Sequence, residues 1–269
     1  MPLAVLTAAL PGDPALDTAL SRALLERVAA GLAPPTFRLA RPGAMVSFGR
    51  LDALVPGFGA AVRAAGEHGY AAIHRVGGGR AALFSPDTLL FGLAAPSAEA
   101  RAQTTERFAA MAALLQGALA RLGIDAAVGE LPGEYCPGAW SLHAGGVKLV
   151  GIAQRVIRGA AWTEGVLVVS DSAAVREVLV PVYAALGLDW DPRTAGALED
   201  LAPGVTWEDA AAALRAELAA REALVDADLD AETLAAARAL RPRHDAALGL
   251  AGPSADGHVR GKLAVPAPD

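Results

Sequence analysis

Three short stretches combine residue types that can carry chemistry. The first is Arg75-Val76-Gly77-Gly78-Gly79-Arg80-Ala81. Consecutive glycines between apolar runs let the main chain approach a ligand closely and aim N–H groups at it. A tight turn uses the same residues. The run matches neither the G-x-G-x-x-G dinucleotide spacing at the start of a helix nor a P-loop. The second stretch is Tyr135-Cys136-Pro137-Gly138, which holds the only cysteine of the chain. A lone thiol is either a small buried hydrophobe or a nucleophile. Here it sits in a Gly/Pro loop, where reactive groups tend to be displayed, and not in an apolar strand. The third is Gly146-Val147-Lys148-Leu149-Val150-Gly151-Ile152-Ala153-Gln154-Arg155. Strict strand alternation places Lys148, Val150, Ile152 and Gln154 on one face. Gly151 and Ala153 then leave the opposite face flat enough for close packing. Lys148 either snorkels at a sheet edge or finds a specific partner.

These stretches need elements to position them. Asp13 and Pro14 open a helix with the apolar stripe Leu16, Leu20, Leu24 and Val28, ended by Gly31. Thr36–Ala40 and Ala44–Phe48 read as a hairpin around Arg41-Pro42-Gly43. Residues 58–68 read as a helix closed by Gly69. Tyr70–Arg75 reads as a strand leading into the glycines, with further strands at Ala81–Phe84 and Thr88–Ala94. Ser97 is expected to start a helix running to about Leu122, followed by a possible strand at Ile124–Val128. Residues 130–139 read as an ordered loop. Trp140–His143 and Lys148–Arg155 form a second hairpin through Gly145-Gly146, and Trp162–Val169 is strongly apolar and β-branched. Residues 172–187 read as helical, broken by Pro181. Thr206-Trp207-Glu208-Asp209 resembles a capping box, with helices over 206–224 and 231–240. Hairpin-linked strands with inserted helices predict an α+β fold with a mixed, largely antiparallel sheet flanked by helices. The expected organisation is a catalytic domain over 1–200, a helical extension over 201–248 and a tail over 249–269.

Composition narrows the function classes. The chain has 269 residues, 54% of them hydrophobic, and a net charge of −6. It can bury a substantial core, which excludes global disorder. No apolar run is long enough to span a membrane. The start, Met1-Pro2-Leu3-Ala4-Val5, has no basic region ahead of its apolar residues, so a cytoplasmic protein is expected. The acidic balance argues against nucleic acid and anionic membrane surfaces as partners. One cysteine and five scattered histidines supply no metal site. Of the 23 basic residues only Lys148 and Lys262 are lysine. Against that strong arginine preference, a lysine inside a structured segment calls for a specific reason.

Together the three stretches resemble the biotin/lipoate protein ligase and octanoyltransferase superfamily. Its pattern of Arg, a variable residue, Ser or Thr, two Gly, a variable residue and Ala-Val is similar to Arg75-Val76-Gly77-Gly78-Gly79-Arg80-Ala81-Ala82. Its Gly-x-Lys-x-x-Gly-x-Ala-Gln strand resembles residues 146–154. The likeness spans roughly 33–190 and implies the same α+β catalytic fold. A cysteine twelve positions before the lysine resembles the cysteine-dependent octanoyl amidotransferases of the superfamily. That implies transfer of an octanoyl group from glycine cleavage H protein to the lysine of lipoyl domains of oxoacid dehydrogenases. Acyl carrier protein as donor, an ATP-dependent lipoate or biotin ligase, and a non-catalytic binder of lipoyl domains are the alternatives. Gly77 stands where Ser or Thr is usual, Phe84 where ligases often place His, and the chain has no Asn. These departures count against ATP and adenylate, so no cofactor is expected.

The resemblance implies Cys136 and Lys148 as catalytic residues. It implies Arg75, Gly77, Gly78, Gly79, Ala81, Gly151, Ala153 and Gln154 as substrate-binding residues. An acyl relay needs a nucleophile that can leave again, which a thiolate does. A free thiol with a pKa of about 8.5 is only about 3% ionised at pH 7. An ammonium beside it shifts that by around two units, or about 2.7 kcal/mol. Lys148 is expected to be that ammonium. It, or N–H groups of Gly77–Gly79, would also stabilise the oxyanion. His143 is the nearest base in the sequence, although a surface role suits it as well. Val150, Ile152 and Trp140 either line an acyl tunnel or belong to the core, the latter preferred for Ile152. Arg75, Arg80, Arg155 and Arg158 either meet an acidic partner or are solvated.

Overall fold

The computed structural model describes residues 2–99 and 101–248. Its main sheet has eight strands in the order β11-β1-β2-β6-β10-β9-β8-β7. These are β1 (Leu3–Leu6), β2 (Thr36–Ala40), β6 (Thr88–Pro96), β7 (Ala127–Val128), β8 (Leu142–Ala144), β9 (Val147–Ile157), β10 (Ala160–Val168) and β11 (Leu224–Ala227). β1 is parallel to both β2 and β11, and every other pairing in this sheet is antiparallel. A three-stranded sheet beside it runs β4-β3-β5, built from β3 (Met45–Phe48), β4 (Ala71–His74) and β5 (Ala82–Phe84). The α+β, largely antiparallel architecture expected from the sequence is what forms.

Six helices cover these sheets: α1 (Pro14–Ala29), α2 (Phe58–Glu67), α3 (Thr104–Arg121), α4 (Ser172–Leu186), α5 (Trp207–Ala219) and α6 (Ala231–Leu240). Three apolar clusters hold them. α3 and α5 bury Met111, Leu115 and Leu214 against Phe37, Phe91 and Leu167 of the main sheet. α1 and α6 bury Leu20, Leu24 and Leu240 around Trp162 on its other face. α2 and α4 pack with the small sheet through Val62, Phe48, Leu179 and Tyr183. The helix starts follow their caps. Asp13 accepts from Leu16 N at 3.1 Å, and Thr206 and Asp209 form the expected capping box.

Five expectations are corrected. β2 and β3 do not form a hairpin. β2 joins the main sheet, β3 the small one, and Gly43 lets the connection pass against the Pro11 main chain. α3 starts at Thr104 instead of Ser97, because the Ser97 hydroxyl is taken up by the Gln103 side chain. Pro181 does not break α4. The helix runs through it, held by Val178, Leu179, Val182 and Tyr183 buried on one face. The segment over 201–248 is not purely helical. It supplies β11 to the main sheet and packs α6 on α1, so it completes the catalytic fold and is no appendage. The proposed tail over 249–269 lies outside the described residues.

The fifth correction concerns β9. Leu142 pairs with Val150 and His143 with Lys148, so β9 carries one extra residue, a bulge at Leu149. The bulge breaks the alternation. Val150 goes into the core under α3, while Lys148 comes to lie beside Gly151.

Candidate active site

β8 covers only the first residues of β9, and from Gly151 onward that side of β9 is free of strand partners. The free edge lines a cavity of about 360 Å³. Its other walls are the glycine turn after β4, the loop before β8, and the start of α3. Cys136 and Lys148 both line it, as do Arg75, Gly78, Gly79, Gly151, Ala153 and Gln154. Gly77 and Ala81 do not. Gly77 donates its N–H to Glu164 at 2.7 Å, and Ala81 is fully buried with its carbonyl accepting from the Tyr183 hydroxyl.

The glycine turn packs where the flat face of β9 was expected to admit it. A side chain at Gly77 would bring a Cβ 2.9 Å from Ala153 Cβ and 2.7 Å from Glu164 Oε1. This accounts for the departure from Ser or Thr at that position. Gly78 N donates to Gln154 O on the free edge. The Gln154 side chain in turn accepts from Arg107 Nε and donates to Thr104 O, fastening the start of α3.

Cys136 is half-buried and holds φ at 44°, in the left-handed region that side chains other than glycine rarely adopt. Three contacts hold the loop in this shape. The Tyr183 hydroxyl accepts Cys136 N–H at 2.7 Å and donates to Ala81 O at 2.9 Å. It thereby ties the cysteine loop to the glycine turn. Glu134 is buried, and its Oε1 accepts from Gly138 N and the Ser141 hydroxyl. The Lys148 ammonium donates to Tyr135 O and Cys136 O, both at 2.9 Å, and lies 3.3 Å from Glu134 Oε1. It also sits 4.9 Å from the centre of the Tyr135 ring.

The sulfur has other neighbours. Arg80 N–H points at Sγ from 3.1 Å, and Arg75 Nη1 lies 3.8 Å away. The Arg80 guanidinium is drawn off to Asp52, a buried carboxylate that also accepts from Gly49 N. Burial pushes the Asp52 carboxyl above its ordinary range, against the pull of Gly49 N–H and Arg80. Burial pushes the Lys148 ammonium below its ordinary value, against the attraction of Cys136 and Glu134. Burial likewise raises the Tyr183 hydroxyl well above its usual range, so it stays a proton donor.

Of the expected tunnel residues, Ile152 lines the cavity and Val150 is core, the reverse of the sequence preference. Trp140 stacks on Phe108, which itself lines the cavity, with ring centroids 5.9 Å apart. His143 does not line it. Arg155 and Arg158 are exposed, whereas Arg75 and Arg80 are committed to the site. Sequence reasoning missed Glu134, Tyr183, Glu164 and Asp52. Glu134 was open to discovery as the one carboxylate next to the cysteine. Tyr183 lies in a helix 47 residues away and gives no local signal.

Fold and site together define an α+β domain with a cysteine–lysine pocket of the kind suited to acyl transfer. The chain belongs to the lipoyl protein ligase A/B catalytic domain family, whose pattern matches residues 13–219. It is similar to an octanoyl-GcvH:protein N-octanoyltransferase of Geobacillus kaustophilus, with 31% identity over 187 residues, covering 70% of this chain and 66% of that protein. A lipoyl-GcvH:protein N-lipoyltransferase of Listeria monocytogenes is 26% identical over 203 residues, covering 70% and 73%. The chain aligns with 66%, 59% and 57% of the length of three such octanoyltransferases. The fold is that of lipoate-protein ligase A bound with ATP, with a TM-score of 0.71 and 20% identity over 90% of this chain and 95% of that one. A bipartite lipoate protein ligase from Thermoplasma acidophilum shares it at a TM-score of 0.69 and 18% identity, over 90% and 93%. No helix among the described residues is long and apolar enough to cross a membrane.

Proposed function

We propose that the chain is an acyltransferase of lipoate assembly that moves an octanoyl group through a thioester on Cys136. The donor is octanoylated glycine cleavage H protein and the acceptor is the lysine of a lipoyl domain, in the cytoplasm and without ATP. The observation that carries this reading is the nucleophile itself. A single half-buried cysteine opens on the cavity with a main-chain N–H aimed at its sulfur from 3.1 Å. The names of the Geobacillus and Listeria relatives support it.

In the first step the thiolate attacks the carbonyl carbon of the octanoyl amide. The carbonyl π electrons move to oxygen, and N–H groups around the glycine turn are placed to meet that charge. When the tetrahedral adduct collapses, the C–N bond breaks and the departing lysine nitrogen takes a proton. In the second step the neutral amine of the acceptor attacks the thioester. The C–S bond breaks, the thiolate is restored and the amine gives up a proton. An apolar chain entering the cavity is stabilised by about 0.8 kcal/mol per buried methylene.

Intact mass after incubation with octanoylated H protein tests the reading. An octanoyl adduct is expected on wild type and none on Cys136→Ser. Absence of the adduct, or an adduct unchanged in Cys136→Ser, refutes the relay. Octanoyl-acyl carrier protein in place of H protein decides the donor. Pyrophosphate release from ATP and free acid, undiminished in Cys136→Ser, would make the chain a ligase instead. Acceptor binding with an inert Cys136 would make it a non-catalytic binder.

A further inference from the structure

We propose that Arg75, and not Lys148, is the cation that keeps the Cys136 sulfur anionic, while Lys148 acts as the fastener of the cysteine loop. The inference rests on the thioester reading and assigns roles within the same site.

The argument begins with donors. An ammonium has three hydrogens to give. Those of Lys148 are taken up by Tyr135 O, Cys136 O and Glu134 Oε1. Its charge is also matched by the Glu134 carboxylate, inside a pocket where both groups are fully buried. Lys148 therefore holds main-chain carbonyls in place and has no hydrogen left for the sulfur. Arg75 is the opposite case. Its Nη1 donates to Arg80 O at 3.0 Å and lies 3.8 Å from Sγ, while its Nε is buried without a hydrogen-bond partner. Among the described residues no carboxylate forms an ion pair with it. A guanidinium so placed has one acceptor for its charge within reach, the sulfur.

Gly79 is built around this pairing. It holds φ at +104°, and a Cβ there would lie 2.8 Å from Sγ and 3.0 Å from Arg75 Nη1. Only a residue without a side chain lets the thiol and the guanidinium face each other. The same turn presents Arg80 N–H to the sulfur. The glycine run therefore serves the nucleophile as well as the substrate.

The test is the rate at which iodoacetamide modifies Cys136 between pH 6 and pH 10, which follows the thiolate. Arg75→Gln still has an N–H for Arg80 O but no charge, and Arg75→Lys keeps the charge. At pH 7 Arg75→Gln is expected to react about tenfold more slowly than wild type, an opposite charge at this range being worth a unit or more of ionisation. The two are expected to converge at the alkaline end, and Arg75→Lys to recover most of the loss. A wild-type rate in Arg75→Gln overturns the proposal, as does Arg75→Lys no faster than Arg75→Gln. Should Arg75→Gln fail to fold, Gly79→Ala decides, since it keeps both groups and sets a methyl between them. Slowing at pH 7 supports the assignment and an unchanged rate overturns it. These rates need no acyl donor. Failure of the relay, read as a missing octanoyl adduct, is thus distinguishable from failure of this assignment.

Discussion

Removing one oxygen atom, by Tyr183→Phe, is expected to loosen the nucleophile without disturbing the core. The Tyr183 ring packs 5.6 Å from Trp190 and is buried to 2% exposure, so phenylalanine fills the same space. What disappears is the hydroxyl between Cys136 N–H at 2.7 Å and Ala81 O at 2.9 Å. Leaving a buried donor or acceptor unmade costs about 1–3 kcal/mol each. The Ala81 carbonyl is sealed from water and carries the full penalty, while water can reach the half-buried cysteine loop and reduce its share. The Cys136 backbone is also released from a left-handed conformation that itself costs about 1–2 kcal/mol, which recovers part of the loss. The expected net loss is about 2–3 kcal/mol in urea unfolding. Acylation of Cys136 by octanoylated H protein should slow by at least tenfold, because the loop no longer holds Sγ against Arg80 N–H. A loss below about 0.5 kcal/mol, or an unchanged acylation rate, would refute the view that this hydroxyl sets the geometry.

Three further outcomes are expected. Cys136→Gly should abolish acyl transfer yet leave stability equal to wild type or up to about 1 kcal/mol higher, since glycine adopts a φ of 44° without strain; urea unfolding beside an acylation assay checks it. Gly77→Ser, which restores the residue usual in the superfamily, should destabilise by about 1–3 kcal/mol through collision with Ala153 and Glu164, read as a lower urea midpoint. Burial holds His74 and His244 below their usual pKa, and His244 Nδ1 lies 2.7 Å from His74 O. The unfolded chain then binds more protons below about pH 6.5, so stability should fall as pH drops through that value. His244→Gln should flatten the fall, as measured by Tm between pH 7.5 and 5.5.

Much of the site was legible because its signals are local. The glycine run, the cysteine in its Gly/Pro loop and the lysine strand are each continuous in sequence, and the fold brings all three to one cavity. What could not be read is what depends on distant partners. No pattern around Leu149 announces a bulge, yet that one residue decides that Lys148 shares a side with Gly151 and not with Val150. Alternation alone therefore put the lysine on the wrong face. The hairpin expected at Arg41-Pro42-Gly43 failed for a similar reason. Turn residues show where a chain bends and not which sheet it bends toward. Pro181 was read as a break because propensity was weighed without the buried helix face that overrides it. β11 is a short strand with two of its four residues exposed, and its apolar signal is correspondingly weak.

The position of β1 has a consequence for how the molecule is made. Leu3–Leu6 lies between two parallel neighbours, one of them Leu224–Ala227, so about 220 residues separate strands that share hydrogen bonds. During synthesis the first strand must wait for nearly all of this chain to emerge before its outer edge is covered. In that interval a row of unpaired N–H and C=O groups next to apolar side chains is open to other chains. Assembly of the sheet is thus expected to be the slow and vulnerable step of biogenesis, completed late and from the opposite end of the sequence.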